Sequence, residues 1–168
     1  MLEKAVTISV DKAIDNVSTA IVEAYESVND YVIEIGVVSG KSHRQITADI
    51  TNAELMFIHE HGSPLRGLPA RPVLELSIRE AVKTYVPQTM SKIEDGCFNK
   101  GWTKEQVRIE LEKMCLRMQT YARQIIYKSN LLAANKPSTI KAKGSDRPLL
   151  NTGQLARSIT CRLSRIKE

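Results

Sequence analysis

The chain has 168 residues, 42% hydrophobic and 26% charged, with a formal net charge of +5. That is the composition of one folded domain with a true core, and it excludes a disordered polyelectrolyte or a low-complexity linker. The charge is segregated. Residues 136 to 168 hold eight Lys or Arg against Asp146 and Glu168, a net of +6, whereas the first 35 residues hold Lys4 and Lys12 against seven carboxylates, a net of −5.

In chain order, Lys4 to Val10 alternates apolar and polar side chains and reads as a half-buried strand. Asp11 is placed to cap a helix whose stripe, Ala13 through Val28 at three- and four-residue steps, ends near Asn29. Asp30 to Val38 reads as a second strand with Tyr31, Ile33, Ile35 and Val37 on one face, and Ile46 to Ile50 as a short third one. Thr51 to His61 predicts a helix stopped by Gly62, followed by a stiff loop carrying Pro64, Pro69 and Pro72. A helix starts at Pro72 and is expected to kink or end at Pro87, resuming from Met90 to Phe98 before Gly101. Thr103 to Ser129 is the clearest helix, opened by a Thr103 to Gln106 capping box. Pro137, Gly144 and Pro148 then break residues 130 to 157 into an extended basic loop or arm containing Lys136, Lys141, Lys143, Arg147 and Arg157. It leads into a short helix, Gly153 to Arg157 with Thr152 as cap, and an edge strand, Ser158 to Ile166.

These elements predict a single α+β domain over 1–168, with a mixed or antiparallel sheet of about four strands packed against two or three long helices and a long basic loop before the C-terminal strand. No apolar run approaches the length of a membrane span, and Met1-Leu-Glu-Lys lacks the layout of a signal peptide, so no membrane partner is expected. Cys97, Cys115 and Cys161, odd in number and without a CxxC pair, are expected to be reduced packing residues.

Catalytic patterns are absent. There is no nucleophile elbow or acid dyad, and Gly40-Lys-Ser is no phosphate loop because the upstream glycine it needs would fall at Ile35. His59 and His61, spaced i to i+2, point about 200° apart on a helix and cannot both grip one ion as an i, i+4 pair does. A small metallohydrolase built on His43, His59 and His61 therefore stands as a remote alternative; neither an enzyme nor a cofactor is expected. A DNA-binding accessory protein is the nearer alternative. Lys141, Lys143 and Arg147 would contact the DNA backbone, without base stacking, because no aromatic residue follows Tyr127.

Two segments carry a family resemblance. HEHGSPLRGLPARPVL, from His59 to Leu74, resembles the His-Glu-Phe-Gly and Ile-Pro-Ala-Arg-Pro-Phe-Leu signature of tailed-phage virion morphogenesis proteins, the tail-completion or neck proteins encoded among head-tail joining genes. KPSTIKAKGSDRPLLNTGQLARSIT, from Lys136 to Thr160, is similar to the same family's Pro-x-Thr-Ile-x-x-Lys-Gly, Pro-Leu-x-Asp-Thr-Gly-x-Leu and Ser-Ile ending. His61 and Val73 stand where the family usually has Phe, and Asn151 where it has Asp.

The resemblance implies a non-enzymatic structural protein, a tail terminator or head-tail connector that joins tail to head. It implies a homo-oligomeric ring, a hexamer by preference, stacked against connector, tail-tube or sheath proteins, with sequence-independent contact to phage DNA in the lumen. The expected location is the virion neck or head-proximal tail end, after assembly in the host cytoplasm. The residues assigned to subunit or partner contacts on this basis are Arg71, Pro72, Lys141, Lys143, Arg147, Thr152, Gln154 and Arg162. Segregated charge suits such head-to-tail contacts, which close into rings when the rotation allows.

Overall fold

A computed structural model of the chain describes residues 15–37, 50–128 and 130–166. Helix α1 covers 15–26 and runs through a 3-10 turn, Ser27–Asp30, into strand β1, Tyr31–Val37. Helix α2, Asn52–His61, starts with a capping box: Thr51 Oγ1 accepts the Glu54 N–H at 3.2 Å, and the Glu54 carboxylate accepts the Thr51 N–H at 2.8 Å. A 3-10 turn, Pro64–Arg66, leads to α3, Val73–Glu80, which passes through a π-helical turn, Ala81–Tyr85, into α4, Val86–Lys100. Helix α5, Lys104–Lys128, is the longest, at roughly 38 Å by its rise per residue. Short helices α6, Pro137–Lys143, and α7, Gln154–Ser158, precede strand β2, Ile159–Arg165.

The expected four-stranded sheet is not what the chain builds. Among the described residues, helix makes up 68%, and the one sheet has two antiparallel strands. The register pairs Tyr31 with Arg165, Ile33 with Leu163 and Val37 with Ile159. Of the other two predicted strands, Lys4 to Val10 lies outside the described residues, as do 46–49 of the second, and Ile50 is in no strand. A two-stranded ribbon has too little apolar surface to make a core alone, so its inward face lies on α5 and the helices supply the rest.

Two further expectations change. Pro87 does not end the helix: the chain stays helical through a π turn, Ala81–Tyr85, into α4, and the wider turn eases the clash that a proline ring makes with a carbonyl one turn upstream. Nor is 130–157 an extended arm. Pro137–Lys143 forms α6, which was not expected, whereas α7 agrees with the expected short helix to within one residue, and the stretch folds back with Leu149, Leu150 and Leu155 packed on the core.

Among the described residues the core has two clusters, one at each end of α5. Val107, Leu111 and Met114 meet Ala24 of α1 and Ile93 and Cys97 of α4. Ala122, Ile125 and Ile126 meet Met56 of α2, Val73 of α3, Leu155 and Ala156 of α7 and Ile159 of β2. Gly96 of α4 has no room for a methyl group, since a Cβ there would overlap the Trp102 indole at 2.2 Å. Contrary to the expectation of reduced cysteines, Cys115 of α5 and Cys161 of β2 are disulfide-bonded across 46 residues of sequence. Only the packing of β2 on α5 brings their Cα atoms to 5.5 Å, within bridging range, and nothing in the spacing announces it. Cys97 is the free, buried cysteine, and burial pushes its thiol above the ordinary range.

Candidate binding site at the junction of the two motifs

The first motif folds into a self-supporting corner. Glu60, near the end of α2, reaches forward so that its carboxylate accepts the backbone N–H groups of Leu74 at 3.1 Å and Glu75 at 2.7 Å. It thereby satisfies donors that α3 leaves open at its first turn, where the helix dipole also favours negative charge. Gly62 turns the chain with φ of +73°. A Cβ at that position would stand 2.7 Å from the Ala70 nitrogen and 2.9 Å from the Leu68 oxygen, so the returning strand of the loop fits only against glycine. The loop is closed by reciprocal backbone hydrogen bonds between Ser63 and Leu68, both at 2.9 Å, and by the Arg71 N–H donating to the His59 carbonyl at 2.6 Å.

Arg71 joins this corner to the residues that lead into the second motif. Its guanidinium is buried, with the residue 5% exposed. Its Nε donates to the Ala133 carbonyl at 2.8 Å, and its Nη2 to the Ala134 carbonyl at 3.0 Å and the Asn135 side-chain oxygen at 3.3 Å. Burial pushes its pKa down from the usual arginine value, yet the three acceptors match the planar fork of the charged form. Asn135 passes the connection on, its Nδ2 donating to the Asp146 carbonyl at 3.1 Å. Lys143 closes the loop after α6 by donating from Nζ to the Arg147 carbonyl.

Between the two motif segments lies a cavity of about 450 Å³. Its floor is aliphatic, from Leu55, Leu68, Leu149 and Leu155, and its walls carry Arg66, Arg71, Lys136 and Lys143 together with His59, Asn135, Thr139 and Asn151. Among the described residues, no carboxylate lines it. Burial, and then the charge of Arg71, hold the Lys143 ammonium below the usual lysine pKa, with Asp146 opposing the shift. Cations converging on a concave apolar floor suit an anionic group attached to an apolar body.

Of the residues expected at contacts, Arg71 and Lys143 are brought together here, but Arg71 holds the fold from inside rather than offering itself at the surface. Pro72, half-buried, stands at the N-cap position of α3. Lys141 is exposed on α6 and does not line the cavity; two residues from Lys143, it projects about 200° away. Arg147 is half-buried, its N–H donating to Ser145 Oγ at 3.2 Å. Lys141 and Lys143 thus lie on different faces of α6.

Thr152 stands one residue before the N-cap position yet still supplies an acceptor to the helix start. Gly153 occupies the N-cap position with φ of +74°, and Thr152 Oγ1 accepts the Gln154 N–H at 3.4 Å. Gln154 is half-buried at the start of α7. Arg162 lies on β2 opposite Glu34, away from the cavity. His59 lines the cavity, whereas His61 stacks on Phe57 with ring centroids 4.4 Å apart and its Nδ1 2.9 Å from the Phe57 carbonyl. The two imidazoles thus serve different surroundings, and His43 lies outside the described residues.

Sequence reasoning passed over Arg66, Lys136 and Asn135 as site residues. The available signal was their position, since Arg66 and Lys136 lie within the two motifs and Asn135 immediately before the second. No protein-family model, curated protein or solved structure matches this chain.

Proposed function

We propose that this protein is a non-enzymatic structural component of a tailed-phage virion, a ring-forming neck or tail-completion protein that joins tail to head. The reading rests on the resemblance of His59 to Leu74 and Lys136 to Thr160 to that family's two signatures. The observation that supports it most directly is that these segments, far apart in sequence, line one cavity, with Arg71 of the first bonded to the residues that immediately precede the second. Motifs that serve one shared architecture are expected to recur together, in one order, with a long helix between them, and here α5 is that helix. A pocket edged with cations, and the exposed apolar side chains Phe57 and Leu65 on the elements that carry the first motif, offer surfaces for protein neighbours.

The test is localisation in particles. Mass spectrometry and imaging of purified virions are expected to find the protein at the head-tail joint in ring stoichiometry; particles lacking it, or lacking a ring there, would refute the reading. The DNA-binding alternative draws on the net +6 of the last 33 residues. It requires a salt-dependent shift of duplex DNA whose salt slope flattens on removal of Lys141, Lys143 and Arg147.

A further inference from the structure

The two core clusters place oppositely charged surfaces at opposite ends of α5. Helix α1 is anchored through Ala24 beside Val107, and the cation-lined cavity is anchored through Leu155 beside Ile125 and Ile126. From Val107 to Ile126 the helix rises by roughly 28 Å. On α1, Asp15, Val22 and Glu26 stand at i, i+7 and i+11, within about 20° of one line along the helix. All three are exposed, Val22 to 45%. The row therefore reads carboxylate, valine, carboxylate. The cavity presents its converse, Leu68 and Leu149 framed by Arg66, Lys136 and Lys143 without a carboxylate among its lining residues. Lys136 Nζ lies over the loop beside Gly67, 3.2 Å from where a Cβ would stand. Separation along a rigid helix prevents the row from reaching the cavity of its own chain.

We propose that the cavity is a socket for the α1 face of a second copy of this chain. Val22 seats against Leu68 and Leu149, while Asp15 and Glu26 pair with Arg66, Lys136 and Lys143. Such a contact joins two different patches and so repeats head to tail, closing if the rotation permits. The inference deepens the assembly reading by naming the surfaces that meet. An apolar floor favours a protein occupant over a DNA backbone, which offers phosphates and sugars with no side chain to fill it.

Charge exchange tests it on the full chain. Arg66 and Lys136 are exposed, as are Asp15 and Glu26, so reversing them leaves the core untouched, which circular dichroism checks. The variants are Arg66→Glu with Lys136→Glu, and Asp15→Lys with Glu26→Lys. In sedimentation equilibrium at low salt, each double variant alone is expected to self-associate at least about tenfold more weakly than the parent, and an equimolar mixture to recover association. A parent that stays monomeric at every attainable concentration overturns the proposal. So does a mixture that fails to associate, or a cavity variant that loses duplex DNA binding while self-association persists. Failure of the exchange with the protein still present as a ring in virions sinks the socket alone; successful exchange with the protein absent from virions sinks the phage reading alone.

Discussion

The Arg71 guanidinium donates to the Ala133 carbonyl at 2.8 Å, spanning 62 residues of sequence and pinning the residues that lead into the second motif to the corner formed by the first. Arg71→Ala leaves three acceptors without their charged donor and opens a void beneath the cavity, and is expected to cost about 3 kcal/mol. Arg71→Lys keeps the charge but cannot present the fork, and is expected to lose about half as much. Chemical denaturation measures both. Amide exchange in α6 is expected to accelerate more than in α5, and uniform acceleration would show that the clamp is not local.

Gly62→Ala puts a methyl group into backbone atoms of Leu68 and Ala70 at a φ that alanine resists. Neither neighbour is the end of a flexible side chain, so the loop must open, at a cost of about 2 to 4 kcal/mol. Thermal denaturation reads the loss, and the same substitution at Gly36, where the space is open, is the control.

Glu110 is 2% exposed on α5 and carries hydrogen bonds from Lys92 at 2.7 Å and Lys113 at 3.1 Å. Burial pushes its carboxyl up, but the two ammonium groups outweigh this and hold the pKa below the usual glutamate value. A depressed folded-state pKa contributes stability that is present above the unfolded value near 4.5 and is lost as pH falls through the folded one. Stability is therefore expected to fall on acidification below about pH 4.5, with part of that slope removed by Glu110→Gln. Because both lysines are half exposed, the substitution is expected to cost about 2 kcal/mol at pH 7, less than a fully enclosed pair. Denaturant midpoints between pH 3 and 7 decide it, and parallel curves for parent and variant would exclude the role.

The Cys115–Cys161 bond ties β2 to α5 across 46 residues, and a loop of that size corresponds to about 4 kcal/mol in the chain-entropy estimate. Reduction, or Cys115→Ser with Cys161→Ser, is expected to lower the denaturation midpoint by an amount equivalent to 2 to 4 kcal/mol. Without reductant, alkylation is expected to label a single thiol, Cys97, and only after unfolding, since that side chain is fully buried. Three labels would show that the bond is absent in solution.

Local pattern accounts for much of the fold. The faces of β1 and α5, the Thr51 cap with Glu54, and the stops at Gly62 and Gly101 follow from neighbours a few residues apart, and such interactions are legible in sequence. Sheet size was not, because alternation shows that a segment can form a strand and leaves open what pairs with it. Pro87 did not mark a helix end because a proline's effect depends on the helix before it, and five residues in a π turn ease the clash. The site was half legible. Arg71 and Lys143 stood out by type and motif, whereas Arg66 and Lys136 acquire meaning only where two distant loops face each other across a cavity.

By itself the sequence determined the segregation of charge, the long amphipathic α5 and the two motif segments, all of which depend on covalent order and short-range periodicity. The tertiary structure alone decided that the basic stretch folds back as α6 and α7, that Cys115 meets Cys161, and that Arg71 bonds carbonyls rather than a carboxylate. These are contacts across 46 to 63 residues, selected by which surfaces α5 brings together when it buries its apolar face, and no local rule encodes them.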